Sequence, residues 1–167
     1  LMLIMLVVSS VVALSMFGGS TKAPEFEATW VVDGADGDRF TLSSLEGKVV
    51  VLDLMSTTCG PCKNIAEDVL TPLYEKHKDD ANVVIISLSV GGDTSEELQA
   101  YADAAGYDWS HAIDHDDQAF ERYDGIKIPK VIIIDPSGDI VFNEASDRIP
   151  FKDVESVVDS AKSGSAL

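Results

Sequence analysis

Residues 53–62 read Asp-Leu-Met-Ser-Thr-Thr-Cys-Gly-Pro-Cys, and this segment decides the fold because it holds both cysteines of the 167-residue chain. The run that leads into it, Val49–Leu54, is almost entirely apolar and rich in β-branched residues, which predicts a buried strand. Three polar turn-forming residues follow, and a helical pattern begins at the cysteines. The sequence therefore predicts that the two cysteines lie where a strand ends and a helix begins.

This placement predicts the chemistry of the two thiols. At a helix N-terminus, unpaired backbone amides and aligned peptide dipoles favour negative charge, so Cys59 should lose its proton more readily than a free thiol. Cys62, one turn further in, should be more buried and should resolve a mixed disulfide by attacking Cys59. Between them, Gly60 and Pro61 complete the active-site loop, and Pro61 suits the first helical turn because it has no amide hydrogen.

Two other uses of the cysteines are weighed. A structural disulfide closing a four-residue loop would gain only ~2 kcal/mol by the chain-entropy formula, which makes it a poor staple. A structural zinc site usually takes four ligands, and the sequence has no second cysteine pair. Redox chemistry is therefore the favoured interpretation.

The segment Asp53–Lys63 resembles the active-site segment of the thioredoxin superfamily, including an acidic residue six positions before the first cysteine. The resemblance implies that Asp53 is buried and handles the proton of the second cysteine; the alternative is a strand-end residue that faces solvent. The family commonly has Trp where this chain has Met55 and Thr58. Thr58, beside Cys59, is expected to be a substrate contact.

The resemblance also predicts an α/β thioredoxin-like fold with a central mixed β-sheet flanked by helices. Residues 23–54 read as a hairpin, a turn and the buried strand, and they resemble the opening of the TlpA and ResA branch of the superfamily. The strand Val83–Val90 and the helix that Thr94 opens with a capping box resemble the βα unit inserted in that branch. The last helix is expected to start near Pro150.

A second site element follows from Ile128-Pro129, which precedes the apolar run Val131–Ile134. In thioredoxin-like proteins a proline here is cis and lies against the disulfide, and the residue before it pairs its backbone with the substrate chain. By resemblance, Ile128 and Pro129 form a substrate-binding ledge. The flanking Lys127 and Lys130 are expected to favour acidic partners.

Residues 1–17 contain no charge and would span about 26 Å as a helix, so they are predicted to be a membrane anchor or a signal segment. The chain begins with Leu rather than Met, which leaves open that residues are missing upstream. The predicted organisation continues with a linker at 18–24, the thioredoxin-like domain at 25–162 and a flexible tail at 163–167. The domain is thus expected to be extracytoplasmic and membrane-anchored, or alternatively secreted after signal cleavage.

A formal net charge of -17 disfavours nucleic acid as a partner, because a negative field repels phosphates. The predicted function is a thiol-disulfide oxidoreductase that needs no cofactor beyond the disulfide of Cys59 with Cys62. Reduction of extracytoplasmic protein disulfides is favoured over their formation, and a redox partner is expected to recharge the cysteines.

Two further functions are considered. A copper-binding or partner-binding module without turnover is suggested by His111 and His115, which lie four residues apart, although surface or packing roles suit both better. A peroxiredoxin-type peroxidase would need a proline where Leu52 stands, with Ser56 at the hydroxyl position, and is disfavoured.

Overall fold

The computed structural model describes residues 21–164. The predicted anchor or signal segment at 1–17 lies outside the described residues, as do the start of the predicted linker and most of the predicted tail. Within residues 21–164, no helix combines the length and the apolar character needed to cross a bilayer.

The core is an eight-stranded sheet in the order β1-β8-β7-β4-β5-β6-β2-β3. Its strands are β1 (Thr21–Lys22), β2 (Glu27–Val32), β3 (Ala35–Thr41), β4 (Val49–Met55), β5 (Val83–Ser89), β6 (Ser110–Ile113), β7 (Lys130–Ile134) and β8 (Asp139–Glu144). The pairs β4–β5 and β5–β6 are parallel, and the other neighbours are antiparallel. The predicted mixed sheet is therefore confirmed.

Within residues 21–164, five α-helices accompany the sheet. They are α1 (Gly60–Ile65), α2 (Thr71–His77), α3 (Ser95–Ala105), α4 (Gln118–Arg122) and α5 (Phe151–Ser163). Thr94 caps α3 through the predicted capping box, and Pro150 is the N-cap residue of α5. These two helix starts were readable from sequence because capping and proline chemistry are local.

The chain is helical from α1 to α2, with a π-helical turn over Ala66–Leu70 between them. The backbone N–H of Thr71 reaches back five residues to the carbonyl of Ala66, and the Thr71 hydroxyl donates to the same oxygen at 2.8 Å. Pro72 follows directly and has no N–H to give. The helix is therefore interrupted by a π-helical turn just before Pro72.

Strand β4 is central, and all seven of its residues are buried. Val49 and Val51 pack into a core with α1, α2 and α5, whereas Leu52 and Leu54 pack into a second core with α4 and the hairpin side chains of β2 and β3. Because both faces of β4 are covered, its sequence is a continuous apolar run rather than an alternating one. Asp53 is the one ionisable residue in this run.

The N-terminal part of the described chain completes the sheet edges. Asp33 and Gly34 both have positive φ angles, 51° and 75°, and form the tight turn of the predicted hairpin β2–β3. The two residues of β1 pair with β8, so part of the predicted linker at 18–24 is a strand of the sheet.

Candidate active site

The two cysteines lie just beyond the C-terminal end of β4, where the loop after this strand leads into α1. Cys59 and Cys62 form a disulfide with a Cα–Cα distance of 5.3 Å. Cys59 is the N-cap residue of α1, and Pro61 occupies the first helical turn. This is the strand, loop and helix arrangement that the sequence predicts.

The two sulfurs have different surroundings. Cys59 is half-buried, whereas Cys62 is only 1% exposed. The Sγ of Cys59 accepts a hydrogen bond from the backbone N–H of Cys62 at 3.2 Å. A donor of this kind at a helix N-terminus favours negative charge on sulfur, so the geometry suits Cys59 as the thiolate that meets a substrate.

Asp53 is 1% exposed, which rules out the solvent-facing alternative for this residue. Ser87 on β5 donates its hydroxyl to Asp53 Oδ2 at 3.2 Å, and the indole N–H of Trp109 donates to Ser87 Oγ at 2.9 Å. Among the described residues, Oδ1 has no hydrogen-bond partner. Burial raises the pKa of Asp53 to about 7, and the hydrogen bond from Ser87 opposes that rise.

The predicted cis bond before Pro129 is confirmed, and the substrate-binding role of Ile128 and Pro129 stays a prediction. The Ile128–Pro129 peptide bond is cis. Ile128 and Cys59 both pack against the small apolar cluster that contains Met55 and Cys62. The structure thus brings Ile128 against the apolar cluster that includes Cys62.

The remaining predicted site residues surround Cys59. Gly60 and Pro61 are exposed, as is Thr58. The hydroxyl of Thr58 lies 3.2 Å from Ser56 Oγ. Thr58 is therefore accessible to a partner, and its role as a substrate contact stays a prediction.

The prediction that both lysines near Pro129 face partners is wrong for Lys130. Its side chain is buried, and Nζ donates to the backbone carbonyl oxygens of Tyr123 and Asp124. Lys127 is exposed. Lys130 points inward because it pairs with Leu54 of the central strand β4. Its aliphatic chain is buried, and its ammonium group reaches the two backbone carbonyls.

Sequence reasoning missed Asp93. Its carboxylate accepts hydrogen bonds from the backbone N–H of Thr57 at 3.0 Å, from the Thr57 hydroxyl at 2.5 Å and from the Ser89 hydroxyl at 2.6 Å. Burial disfavours the charged form, but these bonds together lower the pKa of Asp93. The sequence signal that could have identified Asp93 is Gly91-Gly92-Asp93, which directly follows an apolar strand.

The two histidines that suggested copper do not converge. His111 is buried and stacks on Trp109, with ring centroids 5.9 Å apart. His115 lies 3.2 Å from the carboxylate of Asp36 at the surface. Residues 21–164 contain no group of three His, Cys, Asp or Glu side chains placed to hold a metal ion.

Comparison with known proteins adds to this geometry. Residues 20–143 match the AhpC/TSA family. The chain is 30% identical over 121 residues to the thiol-disulfide oxidoreductase ResA of Bacillus subtilis, covering 72% of this chain and 64% of the relative. It is 34% identical over 122 residues to ResA of Oceanobacillus iheyensis, covering 71% and 60%. The chain thus spans less than two thirds of the length of these relatives.

A solved structure is similar in fold. The thioredoxin domain of a thiol-disulfide oxidoreductase from Bacteroides vulgatus superimposes with a TM-score of 0.68 at 24% identity, covering 83% of this chain and 96% of that one. The predicted thioredoxin-like fold is confirmed.

Proposed function

The chain belongs to the AhpC/TSA family of the thioredoxin superfamily, and from this membership we propose that it is a thiol-disulfide oxidoreductase acting through Cys59 and Cys62. One observation carries the proposal. Cys59, half-buried at a helix start, is bonded to the buried Cys62. The buried carboxyl of Asp53 and the cis bond before Pro129 support the proposal. The relatives named thiol-disulfide oxidoreductase support the same activity.

In the reducing direction, the thiolate of Cys59 attacks a substrate disulfide and forms a mixed disulfide while one substrate thiolate leaves. The thiol of Cys62 then gives its proton to Asp53 and attacks the sulfur of Cys59. The second substrate thiolate leaves, and the Cys59–Cys62 disulfide remains. Two electrons have passed to the substrate, so a redox partner must return two electrons before the next turnover.

Substrate docking is assigned to the surface beside Cys59. Ile128 and Pro129 would align the substrate backbone, and exposed Thr58 would contact it from the other side of the sulfur. Ile126, two residues before Ile128, is 90% exposed and would offer a substrate a further apolar side chain. A protein disulfide presented on an extended chain is the substrate class that fits such a ledge.

We also propose that the domain works outside the cytoplasmic membrane, held by residues 1–17 or released after their cleavage. The support is the uncharged apolar sequence of that segment. Membrane fractionation of the expressed full chain, with the mass of the mature N-terminus, tests both forms. Recovery of the uncleaved chain in the cytoplasmic fraction contradicts both.

Reduction of insulin disulfides tests the activity. The wild-type protein should catalyse turnover with a chemical reductant as electron source, and Cys59→Ser should reduce the rate to the uncatalysed background. Cys62→Ala should keep the first step and accumulate a mixed disulfide that can be isolated, because no second thiol resolves it. Undiminished turnover by Cys59→Ser would falsify the proposed function.

A further inference from the structure

Three side chains form a buried hydrogen-bonded row that ends at the carboxyl of Asp53 on β4. Trp109 Nε1 lies 2.9 Å from Ser87 Oγ, and Ser87 Oγ lies 3.2 Å from Asp53 Oδ2. All three side chains belong to buried residues, with exposures of 6%, 2% and 1%. The row is assembled from the neighbouring strands β4 and β5 and the residue just before β6.

The direction of these hydrogen bonds follows from donor and acceptor chemistry. An indole N–H can only donate, so Ser87 Oγ must accept from Trp109. A hydroxyl has one hydrogen and two lone pairs, and with a lone pair engaged its hydrogen is free to point at Asp53 Oδ2. Asp53 Oδ2 is therefore supplied with a donor, whereas Oδ1 receives none from the described residues.

The orientation of Trp109 is held by aromatic packing. Its ring stacks on Tyr107 at a centroid distance of 4.7 Å and on His111 at 5.9 Å. Tyr74 contacts it in a tilted arrangement at 6.0 Å. An indole held on several sides keeps its N–H aimed at Ser87, which fixes the hydroxyl rotor of that residue.

We propose that Ser87 and Trp109 are positioning residues for Asp53: they pin Oδ2 with a directed hydroxyl and leave Oδ1 as the oxygen that receives the proton of Cys62. This inference rests on the proposed function, in which Asp53 takes that proton. The inference adds that Ser87 and Trp109, which touch neither the substrate nor the reacting sulfurs, set the proton affinity of Asp53.

The other groups near this row do not replace Asp53 as the titrating group. His111 on β6 is in register with Ser87 on β5. Burial lowers the pKa of His111 to about 4, so its ring is neutral near pH 7. Lys130 on β7 is in register with Leu54, on the opposite face of the sheet from Asp53, and its Nζ is bound to backbone carbonyls.

The groups on the helical side that interact with Asp53 or lie near Tyr101 are the phenol of Tyr101 and the exposed ion pair of Glu67 with Lys63. Burial raises the pKa of Tyr101 on α3, so this phenol is neutral as well. Glu67 in the π-helical turn is exposed and lies 3.5 Å from the ammonium of Lys63. In the disulfide form the cysteines do not titrate, and Asp53 is left to report the effect of Ser87 directly.

The decisive measurement is the titration of the Asp53 carboxyl carbon by NMR in the oxidised protein, compared between wild type and Ser87→Ala. Loss of the hydroxyl removes a hydrogen bond to the charged form, so the midpoint should rise from about 7 by about one pH unit. Trp109→Phe keeps Ser87 but frees its rotor, and should raise the midpoint by a smaller amount.

Ser95→Ala is the matched control. Ser95 is also a buried serine that donates to a carboxylate at 2.5 Å, but its acceptor is Oδ1 of Asp36 on β3, not Asp53. Its removal should leave the Asp53 midpoint unchanged. Ser87→Thr restores a hydroxyl and should bring the midpoint back toward the wild-type value.

A kinetic readout links the row to the reaction. The rate at which Cys62 resolves a preformed mixed disulfide should depend on pH with a midpoint that moves with that of Asp53 in Ser87→Ala. In an Asp53→Asn background, Ser87→Ala should move nothing further, since the group it acts through is gone.

Two outcomes overturn the inference. One is an Asp53 midpoint in both Ser87→Ala and Trp109→Phe that equals the wild-type value. The other is a shifted midpoint with an unmoved resolution profile. Neither outcome touches the proposed oxidoreductase activity, which fails only if insulin reduction does not need Cys59.

Discussion

The carboxylate of Asp93 accepts the backbone N–H of Thr57 at 3.0 Å, so a residue beyond β5 holds the loop that leads into the disulfide. The hydroxyls of Thr57 and Ser89 donate to the same carboxylate. The loop before Cys59 therefore depends on contacts made 36 residues later in the chain. The conformation of this loop therefore depends on the folded domain around it and not on the sequence of the loop alone.

Asp93→Asn should loosen this loop. An amide group keeps one acceptor oxygen but loses the charge and the second acceptor, so hydroxyl donors are left without partners at a loss of about 1–3 kcal/mol. Hydrogen exchange of the Thr57 amide should become faster, and insulin reduction slower. The control is Asp103→Asn at an exposed carboxylate that accepts from Gln99 on α3, and it should change stability by less than about 0.5 kcal/mol. Equal Thr57 exchange in wild type and Asp93→Asn would contradict this account.

Asp53 should make the oxidised protein less stable as the pH rises. Its folded pKa, about 7, lies above the ordinary value of 3.8, so between these values the folded state holds a proton that the unfolded state has released. Unfolding then becomes easier from about pH 4 to pH 8. Relative to Asp53→Asn, the wild type should lose up to about 4 kcal/mol over this range in denaturant unfolding.

Asp93 provides the contrast for that experiment. Its folded pKa is lowered, so its contribution is complete above its ordinary pKa and is lost only as the pH falls through the folded value. Asp93→Asn should therefore run parallel to wild type from pH 5 to pH 8. A flat difference between wild type and Asp53→Asn over the same range would show that Asp53 is not held protonated by burial.

Gly91 is needed for the close approach of the β5–α3 loop to the active-site loop. A Cβ at this position would lie 2.5 Å from both Cβ and Oγ of Ser56. Gly91→Ala should therefore displace Ser56 and destabilise the protein by about 1–3 kcal/mol. In a Ser56→Gly background the same substitution should have a smaller effect on unfolding, because the clashing atoms are absent. Additive losses in the double variant would place the strain elsewhere.

The sequence was sufficient where the signal is local. The apolar run of β4, the cysteine spacing, the capping box at Thr94 and the turn at Gly34 each depend on residues a few positions apart. The resemblance supplied the burial of Asp53 and the cis bond before Pro129, which periodicity alone does not reveal.

Long-range side-chain contacts were not predictable. Trp109 reaches Ser87 across 22 residues, and Ser87 reaches Asp53 across 34. Such pairs depend on strand order and register, which the sequence leaves open because several strands share the same apolar character. Lys130 illustrates the same limit: a lysine at the start of a strand suggests the surface, but register turns it inward.

The two lysines beside Pro129 should differ in chemical reactivity. Lys130 is 6% exposed with its Nζ bound to the carbonyls of Tyr123 and Asp124, whereas Lys127 is exposed. An amine-reactive ester followed by peptide mass spectrometry should label Lys127 rapidly and Lys130 only slowly. Labelling of Lys130 should accelerate in mild denaturant, because opening of the 123–129 loop exposes it. Equal labelling in native buffer would mean that Lys130 faces solvent and remains free to meet an acidic partner; slow labelling leaves that role to Lys127.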